Sequence, residues 1–400
     1  MRPFKSLISD EEALNIIMEN IRAIDESEAL SIDLADRRIL AEDVKAPYDV
    51  PPFNRSAMDG YAVRSEDALE AGVPFRVVGE IFAGTSKEIK VNESECVKIA
   101  TGAPLPDSCD AVVMVENTEA VEGEKDKIRI SRPVQPFENV SRVGEDIKKG
   151  ETVLERGTLL DPSKIGALAA LGIQRINVLR KPGIAIISTG NELLPLGKDL
   201  EGSKIYNINT YTLSALLERN FCKSVAYDIV EDREEELKRA LNSAMDNDMI
   251  VFSGGSSVGE RDMLVDILGK AVLFHGVRIK PGKPTMFALY KDKPVLCLPG
   301  FPTSCLMNGY LFLVPAIRKM AGAPERERRI VRARMAQSIK LSRGRKKNVT
   351  VRLEGEHAYS VYKESSTITS LAGATGFITV DADRDQVEKD EEVEVELFSW

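Results

Sequence analysis

Hydrophobic positions change their spacing along the chain, and each change marks a different kind of structure. Near the start, Leu14, Ile17, Met18 and Ile21 recur at helical intervals, so the spacing predicts an amphipathic helix over residues 1–25. Ser9 or Asp10 is placed to cap it, with Glu11 and Glu12 in the first turn. Residues 46–139 open on Pro47, Pro51 and Pro52 and continue as short β-rich runs, FRVVGEIFAG, CVKIATGA, DAVVMVE and KIRISRPV, separated by turn residues. Turns at Lys149-Gly150 and Arg156-Gly157 follow. DPSKIGALAALGI then reads as a helix capped by Asp161, opened by Pro162 and stopped by Gly172. The expected packing sets this helix against the N-terminal one. Residues 1–45 and 140–175 would then form a discontinuous linker domain around a β-rich insert at 46–139.

From 176 to 322 apolar runs alternate with helical patterns: KPGIAIISTGNEL, NINTYTLSALLERN, SVAYDIV, REEELKRALNSAM, DMIVF, MLVDILGKA, KPVLCLPG and SCLMNGYLFLVPAIRKM. Alternation of this kind predicts a mostly parallel α/β sheet, whose ligands bind beyond the carboxyl ends of the strands. After the charged stretch GAPERERR, residues 323–400 alternate with period two (IVRARMAQSI, VTVRLEG, YSVYKE, GFITVDA, EEVEVELF), which predicts a small β-barrel or sandwich. The expected fold class is therefore α/β plus β, in several domains.

Composition narrows the function. The 400 residues are 43% hydrophobic and 29% charged, the balance of a globular protein. A net charge of −9 disfavours a nucleic-acid partner. No apolar run reaches membrane-span length, and MRPFKSLISD lacks a signal-peptide core, so the expectation is cytoplasmic, with no membrane partner. Cys96, Cys109, Cys222, Cys297 and Cys305 are odd in number and widely spaced, against a disulfide framework or a zinc site. His275 and His357 are the only histidines, too few for a His-based metal centre, whereas a hard cation held by carboxylates stays open.

The candidate chemistry sits in polar loops after the apolar runs. SGGSSVGERD (253–262) places Ser253, Gly254, Gly255, Ser256, Ser257 and Gly259 after DMIVF and closes on Asp262. Glycine lets successive N–H groups approach one ligand, which suits phosphate, and Asp262 suits a cation or a ligand N–H. A tight turn with an N-cap aspartate is the plainer alternative. ISTGNEL (187–193) brings Glu192 to a strand end, as a cation ligand or a surface charge. RIKPGKPT (278–285) holds Lys280 and Lys283 on a stiff turn, as an anion clamp or a solvated basic loop. LPGFPTS (298–304), with Pro299 and Gly300, precedes a helix expected to start near Thr303 or Ser304. Three further stretches stand out upstream. They are PPFNRSAMDGYAV (51–63) with Asp59, IATGAPLPDSCDAVVMVE (99–116) with Thr101, Asp110 and Glu116, and VSRVGEDIKKG (140–150) with Arg142, Glu145 and Asp146.

Taken together and in this order, these segments resemble the molybdopterin molybdenumtransferase (MoeA) family, also seen as the E domain of gephyrin. The resemblance implies insertion of molybdate into adenylylated molybdopterin, with Mg²⁺-dependent hydrolysis and release of AMP. Tungstate is an open alternative substrate. It also implies a homodimer whose site lies between the α/β domain of one subunit and the β-rich domain of the other, with molybdopterin adenylyltransferase and apo-molybdoenzymes as partners. On this resemblance Asp59, Thr101, Asp146, Glu192, Asp232, Asp262, Lys280 and Lys283 match functional positions. The 253–259 loop, Lys280 and Lys283 would hold the pterin phosphate or pyrophosphate, with Pro299 and Gly300 beside them. Glu192, Asp232 and Asp262 would hold Mg²⁺, or in part the pterin nitrogens or the attacking water. Asp59 and Asp146 would position loops, a cation or an oxyanion-binding arginine. The C-terminal domain departs from the family pattern. Ser365 and Ser370 fit within ESSTITSLAGATGFI, but Glu364 and Ser366 replace glycines, and Thr350 stands where an arginine is expected. Two other readings carry over: a cofactor-binding scaffold or delivery protein without turnover, and the related adenylyltransferase.

Overall fold

The computed structural model describes residues 7–85, 88–254, 263–363 and 367–398. Its central layer is a six-stranded sheet ordered Lys223–Ala226, Gly183–Ser188, Met249–Ser253, Lys293–Leu298, Met286–Tyr290, Val272–His275. The first four strands run parallel. Strands of this kind are covered on both faces, which is why their sequences are unbroken apolar runs. Ile184, Ile186, Val251 and Leu296 face one cluster, while Ala185, Ile187, Ile250 and Phe252 face another. Helices Asn209–Arg219, Pro302–Asn308 and Val314–Met320 cover the first face, and Glu234–Ser243 and Met263–Leu268 the second. The last two strands are an antiparallel edge that the βα alternation did not announce. The chain passes from Met286–Tyr290 into Lys293–Leu298 through Lys291 (φ 50°) and Asp292 (φ 64°), the pair of positive angles a two-residue hairpin turn requires.

The N-terminal helix spans Asp10–Asn20, with the Glu12 amide donating to Ser9 Oγ at 3.0 Å. Its packing corrects the expectation from sequence. Ala13, Ile17 and Ile21 are buried against Ile184, Leu213, Val314 and Ile317 of the α/β layer, not against the helix Pro162–Ala170. The periodic stripe predicts that one face is buried and says nothing about the partner. Helix Pro162–Ala170 instead joins Leu40, Leu160 and Val178 in a separate core. There strand Ser27–Ser31 pairs antiparallel with Arg175–Leu179. Asp161 caps that helix by accepting from the Lys164 amide at 3.1 Å, and Gly172 ends it at φ 66°.

The β-rich insert is a six-stranded sheet ordered Ala111–Met114, Gly60–Val63, Glu95–Ile99, Pro74–Ile81, Lys127–Ile130, Thr118–Ala120. Asp110, a candidate acid, is structural: it accepts from the Ser65 amide and hydroxyl at 2.7 and 2.6 Å. At the C-terminus, Lys346–Glu354 pairs with both His357–Ser360 and Gly376–Val380. Ile330–Met335 and Glu392–Leu397 complete the ring, a closed barrel that removes free strand edges. Strand Ile279–Lys280 of the α/β domain adds in parallel to Lys346 and Lys347, and the Lys346 ammonium contacts Asp10 and Glu11. Tyr310 meets Phe398 edge-on at 5.0 Å and Phe377 at 6.1 Å, so the last domain is fastened to the α/β layer by aromatic packing as well.

Ile17→Ala removes a fully buried side chain from the shared core. It should cost about 2–4 kcal/mol in denaturant unfolding. A loss below about 1 kcal/mol would contradict the helix being part of the α/β core.

Candidate active site

Two polar clusters emerge. The larger lies at the carboxyl ends of the central parallel strands, where Ser188 is paired with Ser253 and Ser253 with Leu298. Backbone bonds continue beyond the strands. The Thr189 amide donates to Ser253 O at 3.0 Å and the Gly254 amide to Leu298 O at 3.1 Å. Gly254 sits at φ 100°, and a Cβ there would come within 2.5 Å of Thr189 O. A Cβ on Gly300 would stand 3.5 Å from the Gly254 Cα. Glycine at Gly254 is what lets the loop ends at 189, 254 and 300 share this space.

A buried polar brace lies beneath them. Asn209 donates from Nδ2 to Ser253 Oγ at 2.7 Å and to Gly300 O at 2.8 Å. Ser188 Oγ meets Thr210 Oγ1 at 2.8 Å, and Asn207 Nδ2 donates to the same hydroxyl at 2.8 Å. Sequence reasoning took NINTYT only as a helix lead. Its asparagines were the available signal, since buried amides persist where they are hydrogen-bonded. Asn209 is 7% exposed, and among the described residues its Oδ1 has no partner.

Asp232 lies at the same end of the sheet. Its amide donates to Asn191 Oδ1 at 3.2 Å, and the Gly190 amide donates to Val230 O at 3.2 Å, tying the 189–192 and 230–232 loops together. Burial pushes the Asp232 carboxyl above the usual range, and the nearby negative charge of Glu192 pushes the same way. The Thr189 hydroxyl lies close enough to oppose the rise, yet among the described residues neither Thr189 Oγ1 nor Asp232 Oδ1 meets a partner in hydrogen-bond geometry. Two neighbouring acids, one half-buried with an unpartnered oxygen, are a fitting pair of donors for a hard cation. Among the described residues no group of three metal-ligating side chains forms. Asp262, the third expected ligand, lies outside the described residues, as do Gly255, Ser256, Ser257, Gly259 and Ser365.

Lys280 and Lys283 flank Gly282, which lies at φ 110° so close to helix Pro302–Asn308 that a Cβ would fall 1.8 Å from Asn308 Nδ2. Asn308 donates to Gly282 O at 3.1 Å and to Thr285 Oγ1 at 2.8 Å, holding the lysine turn against the helix that follows Pro299 and Gly300. That helix starts at Pro302, a residue before the predicted start.

The smaller cluster lies on the β-rich domain. Asp59 Oδ1 accepts from the Thr101 amide at 2.7 Å and its hydroxyl at 2.8 Å, and these bonds lower the Asp59 carboxyl. The Ser56 amide donates to Ala103 O at 2.9 Å, Val143 N to Asn54 Oδ1 at 2.9 Å, and Asp146 N to Val50 O at 3.0 Å. The three upstream motifs thus meet in one loop group carrying Asp59, Thr101 and Asp146. Exposed apolar side chains flank both clusters: Leu196, Ile205 and Phe301 beside the strand-end cluster, Phe53, Met58 and Val143 beside the Asp59 cluster.

Comparison with known proteins decides the family. Residues 8–172 match the profile described as "MoeA N-terminal region (domain I and II)". Residues 185–319 match "Probable molybdopterin binding domain" and residues 332–398 "MoeA C-terminal region (domain IV)". A Methanocaldococcus jannaschii protein named for molybdopterin biosynthesis is 35% identical over 413 aligned positions, covering 100% of both chains. The chain belongs to the MoeA family. The molybdopterin molybdenumtransferase of Haemophilus influenzae is 37% identical over 319 positions, 79% of this chain and 78% of that one. The crystal structure of the MoeA protein from Pyrococcus horikoshii superposes with a TM-score of 0.86 at 34% identity, covering 99% of this chain and 100% of that one. As a member of this family the chain is an enzyme of molybdenum cofactor biosynthesis. Among its described residues no helix is long and apolar enough to cross a membrane, and the five cysteines are buried and form no disulfide.

The raised Asp232 carboxyl sets a sign. A carboxyl whose folded pKa is raised favours the fold at low pH and penalises it as pH climbs through that pKa. In buffer free of divalent cations at neutral pH, Asp232→Asn should raise the thermal midpoint, and the gain should fade as pH falls into the carboxylate range. A midpoint unchanged or lowered at neutral pH would contradict the burial argument.

Proposed function

We propose that this MoeA family member inserts molybdate or tungstate into adenylylated molybdopterin, with Mg²⁺-dependent hydrolysis and release of AMP. The observation that carries this reading is the convergence of Asp232, Glu192 and the Gly254 and Gly300 loops at one end of the parallel sheet, next to the Lys280–Lys283 turn. Glu192, Asp232 and Asp262 would hold the Mg²⁺, which supplies charge neutralisation at the phosphoanhydride. Lys280 and Lys283 bind the phosphates, and backbone amides of the 253–259 loop orient them. Hydrolysis adds water across the anhydride, leaving AMP and the pterin's terminal phosphate. Molybdate is a dianion, so Asp59 and Asp146 do not attract it. They order the loops of the second cluster, with Thr101 held by Asp59.

The reading includes a homodimer in which the Asp59 cluster of one protomer completes the Asp232 cluster of its partner. The exposed apolar side chains beside both clusters support it, because contiguous apolar surface marks an interaction site. Molybdopterin adenylyltransferase as supplier and apo-molybdoenzymes as recipients are the partners this chemistry calls for.

AMP release from adenylylated molybdopterin, measured with and without Mg²⁺ and with molybdate, tungstate or neither, tests the proposal. Oxyanion-stimulated, Mg²⁺-dependent release is expected. Glu192→Gln and Lys283→Ala should each lower kcat/KM by about 10²–10³-fold. A folded protein that releases no AMP under any condition would favour a cofactor-binding or delivery role. Adenylyl transfer from ATP to molybdopterin would favour the adenylyltransferase.

A further inference from the structure

Beneath the C-terminal barrel, where strand Ile279–Lys280 joins Lys346–Glu354, lies a cleft of about 370 Å³. Lys280, Lys340 and Lys347 line it, together with Ser342 and Tyr362. Lys347 is the anomaly. It is 3% exposed, and among the described residues its Nζ donates only to carbonyl oxygens, Arg345 O at 3.0 Å and Arg384 O at 3.4 Å. Buried ammonium groups are normally paired with a carboxylate, because desolvation is costly. Among the described residues the negative charges acting on it belong to Asp385 and Asp383, and Asp385 is already paired with Arg343 at 3.1 Å. Burial lowers the Lys347 ammonium, and the like charges of Lys280 and Arg345 lower it further. The cleft thus gathers cations that repel one another around an opening with hydroxyl donors on its wall.

We propose that this cleft is a second anion site, built by Lys340, Lys347 and Ser342 and sharing Lys280 with the proposed phosphate-binding turn, that takes a tetrahedral dianion, either a free oxyanion or the terminal phosphate of a larger ligand. A bound dianion would pair with the Lys347 ammonium and relieve its repulsion with Lys280 and Arg345. Lys347 supplies a fixed charge from the floor, Lys340 a mobile one from the rim, and Ser342 a neutral donor. Val349, next on the same strand face as Lys347, gives the floor an apolar border that shields the pair from water. Because Lys280 belongs to the turn that carries Lys283, occupancy here reaches the proposed catalytic turn through the backbone of two residues, Pro281 and Gly282.

The test is calorimetric titration of the full chain in a Lys283→Ala background, which weakens the strand-end site. Sulfate, molybdate and inorganic phosphate form one arm and AMP the other, at constant ionic strength. Saturable binding in the first arm alone identifies a free-oxyanion site. Tighter binding of AMP identifies a phosphate-end site. In either case Lys347→Met and Lys340→Gln should each weaken binding by about tenfold. Lys347→Arg should retain it. Lys340 is exposed, so Lys340→Gln remains informative even if Lys347→Met unfolds. No saturable anion binding in either arm, or binding unchanged in Lys340→Gln and Lys347→Met, would overturn the proposal whatever the outcome for AMP release.

Discussion

The parallel registration of three strand ends is the constraint on which the α/β site depends. Ser188 opposite Ser253, and Ser253 opposite Leu298, bring the loops that follow into one layer. Gly254 then takes a backbone angle closed to other residues, and Asn209 ties two of the loops with one amide nitrogen. A shift of one residue in the Met249–Ser253 strand would turn Phe252 out of its core and Ser253 away from Asn209. Continuous apolar runs on both faces prevent that shift, so the core fixes the site.

The two candidate ligand sites carry opposite charge. Asp232 and Glu192 gather negative charge at the strand ends, whereas Lys280, Lys340 and Lys347 gather positive charge under the barrel. Each group is unfavourable alone, and each is resolved by a ligand of the other sign. The KPGKP turn lies between them, held from behind by Asn308. The N-terminal helix joins the same frame. Its buried side packs on the α/β layer, while Asp10 and Glu11 contact Lys346 at the start of the barrel strand.

Local rules carried much of this fold. Apolar runs broken by polar loops located the parallel strands, Asp161 and Pro162 marked a helix start, and period-two alternation marked the barrel strands. The partner of the N-terminal helix was not legible, because a stripe of Leu14, Ile17, Met18 and Ile21 fits any apolar face. The antiparallel edge was missed because its turn, Lys291-Asp292, lacks the Asn-Gly or Asp-Gly signature of its type. Within the site, the acidic and glycine-rich loops could be read from residue type. Asn209, Asn308 and Lys347 could not, since their roles come from burial and from partners distant in sequence.

The central claim is that one active centre draws Asp232 from one protomer and Asp59 from its partner. The direct measurement is AMP release by a mixed dimer that pairs an Asp59→Ala chain with an Asp232→Ala chain. One of its two composite centres is then intact, so about half the wild-type activity should return, although each variant alone is inactive. A mixed dimer as inactive as its parents would place both residues' contributions within a single chain and contradict the account.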